Sequence, residues 1–294
     1  MRASFEYLRP STLPEAVRLK EEYGPPARWW AGGTDLVLLW QRGLVELEYC
    51  IDITFLRELD YIEVDESSIR IGAMASLAAL ERSRSRHHLL EMLSDIAKLM
   101  CTPQTRTIAT VGGNICNASP AADLTPAFIA LNAEAKILGA SGERRVPMEN
   151  FFLGINKTDL GDAEMLIEIS IPLPENRIDA AYRRIDRTVV DIALVNASAS
   201  VCVDTSNRIM DARITLGAVA PVVIRSPRAE DVVKGADIAN FDRTLLDKAG
   251  ECAAADAKPI SDVRASAPYR REMIKVMVRR ALAESIRKLG GAVS

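Results

Sequence analysis

Hydrophobic and polar positions change period several times along the chain. AEMLIEISIPLP, residues 163–174, alternates as a half-buried strand does and stops at Pro172 and Pro174. PSTLPEAVRLKEEYG has the helical period instead. Ser11 or Thr12 caps it, Pro14 sits in its first turn and Gly24 ends it. ARWWAGG reads as a short strand running into a tight turn, and TDLVLLWQRG as a helix from Thr34 to Gly43. LEYCIDIT and SIRIGAMAS read as strands, SLAALERS and HHLLEMLSDIAKLM as helices. A further strand is expected before Gly112, and an apolar helix over LTPAFIAL. AEAKILGAS reads as a strand ending at a Ser141-Gly142 turn, and RRVPMENFFLG as a connector with a buried Phe151-Phe152 step.

The texture changes past the polar segment LPENRIDAA, which places a domain boundary near 175–179. The expected division is 1–176, with sub-parts of about 1–55 and 56–176, followed by 177–294. AAYRRID, ALVNASASVCVD and RIMDARITLGAVA are expected as consecutive strands. SPRAEDVVKG and FDRTLLDKAGECAAA are expected as helices, and a long last helix runs from a Ser266 cap to Gly290. Strands followed by helices imply an antiparallel sheet with helices on one face.

Bulk properties narrow the function. The 294 residues suggest two domains, and the net charge of −3 offers no basic field for nucleic acid or anionic lipid. No apolar run is long enough to span a membrane, and the N-terminal stretch lacks the apolar core of a secretion signal. The five cysteines are widely spaced, with no CxxC pair, as expected of reduced thiols in a cytoplasmic protein. His87 and His88 adjoin near a helix start, and no metal set is spelled out.

Candidate chemistry lies at two diglycine turns, Gly32-Gly33 and Gly112-Gly113. Glycine admits positive φ and lets a ligand approach without meeting a Cβ. Successive N–H groups in such a bend make an anion nest, and two bends suit a pyrophosphate held from two sides. GxGxxG spacing and Gly-Lys-Ser/Thr are absent, which excludes the usual Rossmann and P-loop sites. Asp123 is read either as a helix cap or as an acceptor for sugar hydroxyls or a ring N–H.

Several motifs occur in a fixed order. They are Ala31-Gly32-Gly33-Thr34-Asp35-Leu36; Gln104 to Asn114, with Thr110, Val111, Gly112 and Gly113; and Ala118-Ser119-Pro120 with Asp123. Phe151-Phe152 with Gly154, Lys157 and Thr158 follow, then Glu164 to Pro172, Tyr182 to Asn196 and Asp262 to Met273. Together they resemble the FAD-binding medium subunit of the molybdenum hydroxylases, the xanthine dehydrogenase and carbon monoxide dehydrogenase family. The resemblance covers nearly the whole chain.

It implies an α+β fold: a two-part FAD domain of the vanillyl-alcohol-oxidase (PCMH) type, then a smaller antiparallel sheet-plus-helix domain. It also implies that segments 31–36 and 110–114 wrap the FAD diphosphate with main-chain N–H groups. Asp123 and Leu166 would touch the rest of the cofactor, and Arg183 would be the cation near the flavin ring; Asn117 is a candidate as a polar residue just past the second glycine turn. Thr107 departs from the family's Asn, and Arg183 stands where some relatives have Lys. Trp29 and Trp30 are bulkier than the usual aliphatic pair, so that one is expected in the core and the other beside the cofactor.

By the same resemblance, a large partner subunit carries the molybdenum cofactor and a small one the two-iron two-sulfur clusters. This chain would pass electrons to an acceptor such as NAD. No catalytic acid, base or nucleophile is expected on it. A stand-alone FAD oxidase and a scaffold that has lost FAD are the competing readings.

Overall fold

A computed structural model of the chain describes residues 4–188 and 190–293; residues 1–3, which begin the N-terminal stretch considered above, lie outside the described residues. The first layer is built from β1 (Glu6–Leu8), α1 (Leu13–Tyr23), β2 (Ala27–Trp30), α2 (Leu36–Gln41) and β3 (Tyr49–Asp52). Its three strands are parallel in the order β1-β3-β2. Parallel neighbours need crossover connections, which α1 and α2 provide.

The second layer comprises β4 (Ile62–Val64), β5 (Ser68–Gly72), α3 (Leu77–Arg82), α4 (His88–Leu99), α5 (Pro103–Arg106), α6 (Val111–Cys116) and α7 (Leu124–Ala130), followed by β6 (Glu134–Gly139), β7 (Gly142–Pro147), β8 (Phe152–Gly154), β9 (Lys157–Thr158) and β10 (Met165–Pro172). Its main sheet has the order β4-β5-β10-β6-β7, with β10 at the centre. Trp29 Nε1 donates to the Glu164 carbonyl at 3.2 Å, tying the end of β2 to the start of β10.

Two local expectations change here. The strand expected before Gly112 does not form. Thr110 Oγ1 instead accepts from Gly113 N at 3.0 Å and caps α6, so the glycines lie inside the first helical turn. Part of the expected connector is β7, an edge strand whose polar side chains hid its pairing with β6.

The third layer contains β11 (Arg177–Ile185), β12 (Val195–Val203), β13 (Ile209–Gly217), β14 (Ile224–Arg225), α8 (Pro227–Val233), α9 (Arg243–Asp256) and α10 (Ala267–Lys288). The four strands are antiparallel and consecutive. Along β12 the odd positions Val195, Ala197, Ala199, Val201 and Val203 join the core built with α9 and α10. The even positions face the preceding layer: Asn196 Nδ2 donates to the Ala122 carbonyl (3.3 Å) and Ser200 Oγ to the Ala130 carbonyl (2.6 Å). Thr215 Oγ1 of β13 donates to the Pro126 carbonyl at 2.8 Å. The period of two thus places a polar seam on one sheet face and a hydrophobic core on the other.

Candidate functional site

The β2–α2 turn and the start of α6 meet in one cleft of about 600 Å³. Ala31 to Leu36 line one side; Thr110, Gly112, Gly113, Asn114 and Asn117 line the other, with Trp29 and Leu166 also in the wall. The two bends touch. A Cβ on Gly32 would stand 2.0 Å from the Ile108 carbonyl oxygen, and one on Gly112 would stand 2.7 Å from the Ala73 oxygen. The missing side chains of these two glycines make room for neighbouring backbone, while both residues still line the cleft. Gly33 is different: its φ of +67° is left-handed and turns the chain into α2.

The bends also differ in their free donors. Among the described residues, the amides from Gly32 to Leu36 have no acceptor. In the second bend Val111 N binds the Ala75 carbonyl, Gly112 N the Ala73 carbonyl and Asn114 N the Thr110 carbonyl, while Gly113 N binds the Thr110 side chain. Of the main-chain donors from Thr110 to Asn114, only that of Thr110 has no acceptor among the described residues, so this bend offers far fewer free amides than the first. What it offers instead is the Asn114 side chain, whose Oδ1 is buried without a hydrogen-bond partner. Asp35 keeps solvent access as a residue, but partial desolvation in the cleft pushes its carboxyl pKa up.

Four expected site residues stand away from the cleft surface. Val111 is fully buried, and Trp30 lies behind Gly33, its ring 3.2 Å from where a Cβ there would be. Asp123 is buried and accepts from the Tyr182 hydroxyl and, at 3.0 Å, from Arg184 Nη1. Burial pushes its carboxyl pKa up, against the pull of Arg184 and Tyr182. Arg183 points the other way along β11, 3.5 Å from Glu284 of α10; strand alternation makes Arg184 the cation on the Asp123 side.

Residues with no sequence signal complete the wall: Met74, Leu77, Met100, Cys101, Leu160 and Met165, apolar groups brought together from separate elements. Asn156 also lines it. It has φ +54°, and Nδ2 donates to the Asn117 carbonyl at 2.9 Å, latching the β8–β9 hairpin to the end of α6. His87 and His88 serve structure: His87 Nδ1 caps α4 by accepting from Leu89 N, and His88 Nε2 lies 2.8 Å from the Ile178 carbonyl.

Residues 3–174 match the family described as the FAD binding domain in molybdopterin dehydrogenase, and residues 180–285 match the CO dehydrogenase flavoprotein C-terminal domain. The chain belongs to the FAD-binding medium subunits of the molybdenum hydroxylases. It is similar to the carbon monoxide dehydrogenase medium chain of Hydrogenophaga pseudoflava, 33% identical over 95% of this chain and 96% of that one. It is 30% identical to the xanthine dehydrogenase FAD-binding subunit of Escherichia coli O157:H7, over 97% of each chain. A solved structure of carbon monoxide dehydrogenase from Hydrogenophaga pseudoflava that lacks the Mo-pyranopterin moiety superposes with a TM-score of 0.91 at 32% identity. That match covers 97% of this chain and 98% of the other.

A medium subunit of this family is an oxidoreductase component with its FAD domain on this chain. The cleft fits that cofactor. Its donors between Gly32 and Leu36 suit a diphosphate, and its apolar walls suit flat rings.

Proposed function

We propose that this medium subunit is an electron relay. Electrons reach its FAD from two-iron two-sulfur clusters on a small partner subunit and leave to an external acceptor such as NAD. A large partner subunit would hold the molybdenum cofactor. FAD, when bound, supplies the redox chemistry by taking up and returning electrons. The protein's part is to bind and orient it. The Gly32–Leu36 amides would hold the diphosphate, the Asn114 amide would approach from the facing wall, and Trp29 and Leu166 would flank the rings.

The observation that carries the reading is the run of unengaged amides from Gly32 to Leu36 opposite the orphaned Asn114 oxygen. The five free cysteines support a place in the cytoplasm, where thiols stay reduced.

The test uses the purified chain with FAD. Flavin bands at about 370 and 450 nm should accompany one-to-one binding, and NADH should bleach them without any other donor. Asn114→Ala should weaken FAD binding about tenfold while leaving the melting temperature of the FAD-free chain unchanged, since Oδ1 has no protein partner to lose. A chain that takes up no FAD sinks the proposal. Bleaching by another donor but not by NADH removes NAD as the acceptor.

A further inference from the structure

We infer that Arg106 is a positioning residue for the cofactor cleft: it holds Cys101 in a left-handed backbone conformation, so that Met100 and Cys101 form the cleft wall. This rests on the cofactor reading proposed above. Arg106 is 7% exposed. Its Nη1 lies 3.1 Å from the Lys98 carbonyl oxygen, 2.9 Å from that of Met100 and 3.0 Å from that of Cys101. Its Nε donates to Glu81 Oε2 at 2.8 Å, which fixes the guanidinium from the far side.

Three carbonyl dipoles pointing at one spot repel one another unless a cation sits there, and the delocalised charge and rigid fork of arginine suit that task. Lys98 belongs to α4, so one of the three bonds is an ordinary helix-end contact. The other two carbonyls lie beyond the helix, on residues that line the cleft.

Cys101 has φ +49°, a region that side chains other than glycine rarely enter without support from their surroundings. Relaxing that residue would swing the 100–101 peptide and the wall it forms. Arg106 is next to Thr107 and Ile108, and Ile108 abuts Gly32, so one short segment shapes both sides of the cleft.

A thermodynamic cycle on the full chain separates this role from simple helix capping. FAD affinity is measured for native protein, Arg106→Lys, Cys101→Gly and the double variant. Lysine keeps the charge but lacks the Nε–H that Glu81 holds, so its head group is not fixed on the three carbonyls, and in the native background Arg106→Lys should weaken FAD binding about tenfold. Glycine occupies positive φ without strain. In the Cys101→Gly background the same substitution should therefore cost less than about threefold.

A cost equal in both backgrounds would overturn the inference, because a role confined to capping α4 is indifferent to residue 101. An unchanged affinity for Arg106→Lys would overturn it too. Should Arg106→Lys fail to fold, Glu81→Gln loosens the same guanidinium and replaces it in the cycle, with the same expected rescue. Failure of the native chain to bind FAD removes the cofactor reading. Normal binding without rescue removes only the assignment of Arg106.

Discussion

The carbonyl oxygen of Ile108 occupies the place where a Cβ on Gly32 would stand, 2.0 Å from it. Two segments separated by most of a domain's worth of sequence are in backbone contact at this point, and the cleft between them depends on it. Gly32→Ala must therefore push the bends apart. The expected cost is about 1–3 kcal/mol, with loss of most bound FAD. Thermal melts and flavin absorbance check both. Full stability together with full cofactor content would show that the two bends do not depend on each other.

The turn from Asp159 to Glu164 runs along the cleft beside Leu160 and is fastened by Arg144. The guanidinium reaches Glu164 Oε1 at 2.7 Å, Glu164 Oε2 at 2.5 Å and Asp159 Oδ2 at 2.7 Å. The Arg144 bonds hold the Glu164 carboxyl below its ordinary pKa. A lowered folded-state pKa gives stability that is present above the unfolded value, about pH 4.5, and is lost as pH falls through the folded value. Arg144→Gln should cost about 1 kcal/mol at neutral pH. The gap in melting temperature between native and variant protein should close below about pH 4.5. A gap that stays constant down to pH 3 would contradict this account.

The polar seam between the second and third layers implies cooperative unfolding. Asn196, Thr215 and Ser200 donate to the carbonyls of Ala122, Pro126 and Ala130 from buried positions. A buried donor or acceptor left alone is costly. Thr215→Val keeps the shape but removes the hydroxyl bond to the Pro126 carbonyl, so it should destabilise the chain by about 1 kcal/mol. Calorimetry should show a single transition for both proteins. Two separated transitions in the native chain would mean that the seam does not couple the layers.

Arg270 is 2% exposed and bridges the third layer. Its guanidinium donates to the Leu194 carbonyl at 2.5 Å, to the Ala218 carbonyl at 3.2 Å and to Asp262 Oδ1 at 2.8 Å. Asp262→Ala removes the countercharge from a buried cation and should cost about 3–5 kcal/mol. Asp262→Asn keeps an acceptor for Arg270 and should cost less. Equal losses for the two variants in urea unfolding would show that the negative charge itself, rather than its hydrogen bonding, is what Arg270 requires.

Much of the fold was legible because local rules agree with the global ones. Thr12 and Ser266 cap their helices as the sequence suggests, and strands such as β10 and β12 carry the alternation that one buried face demands. Short edge elements were not legible. β1 and β4 have only three residues each, too few to display a period.

The sequence alone determined the family, the order of the layers and the two glycine bends, because motif spacing and side-chain period are properties of the chain itself. Only the tertiary structure decided what each bend does. Which amides remain free depends on whether a distant carbonyl, such as that of Ala73 or Ala75, reaches them first. The direction of Arg183 toward Glu284, and the convergence of Arg106 on Met100 and Cys101, were likewise settled by packing. Hydrogen-bond partners and exposure are relations between remote segments, and no local run of residues encodes them.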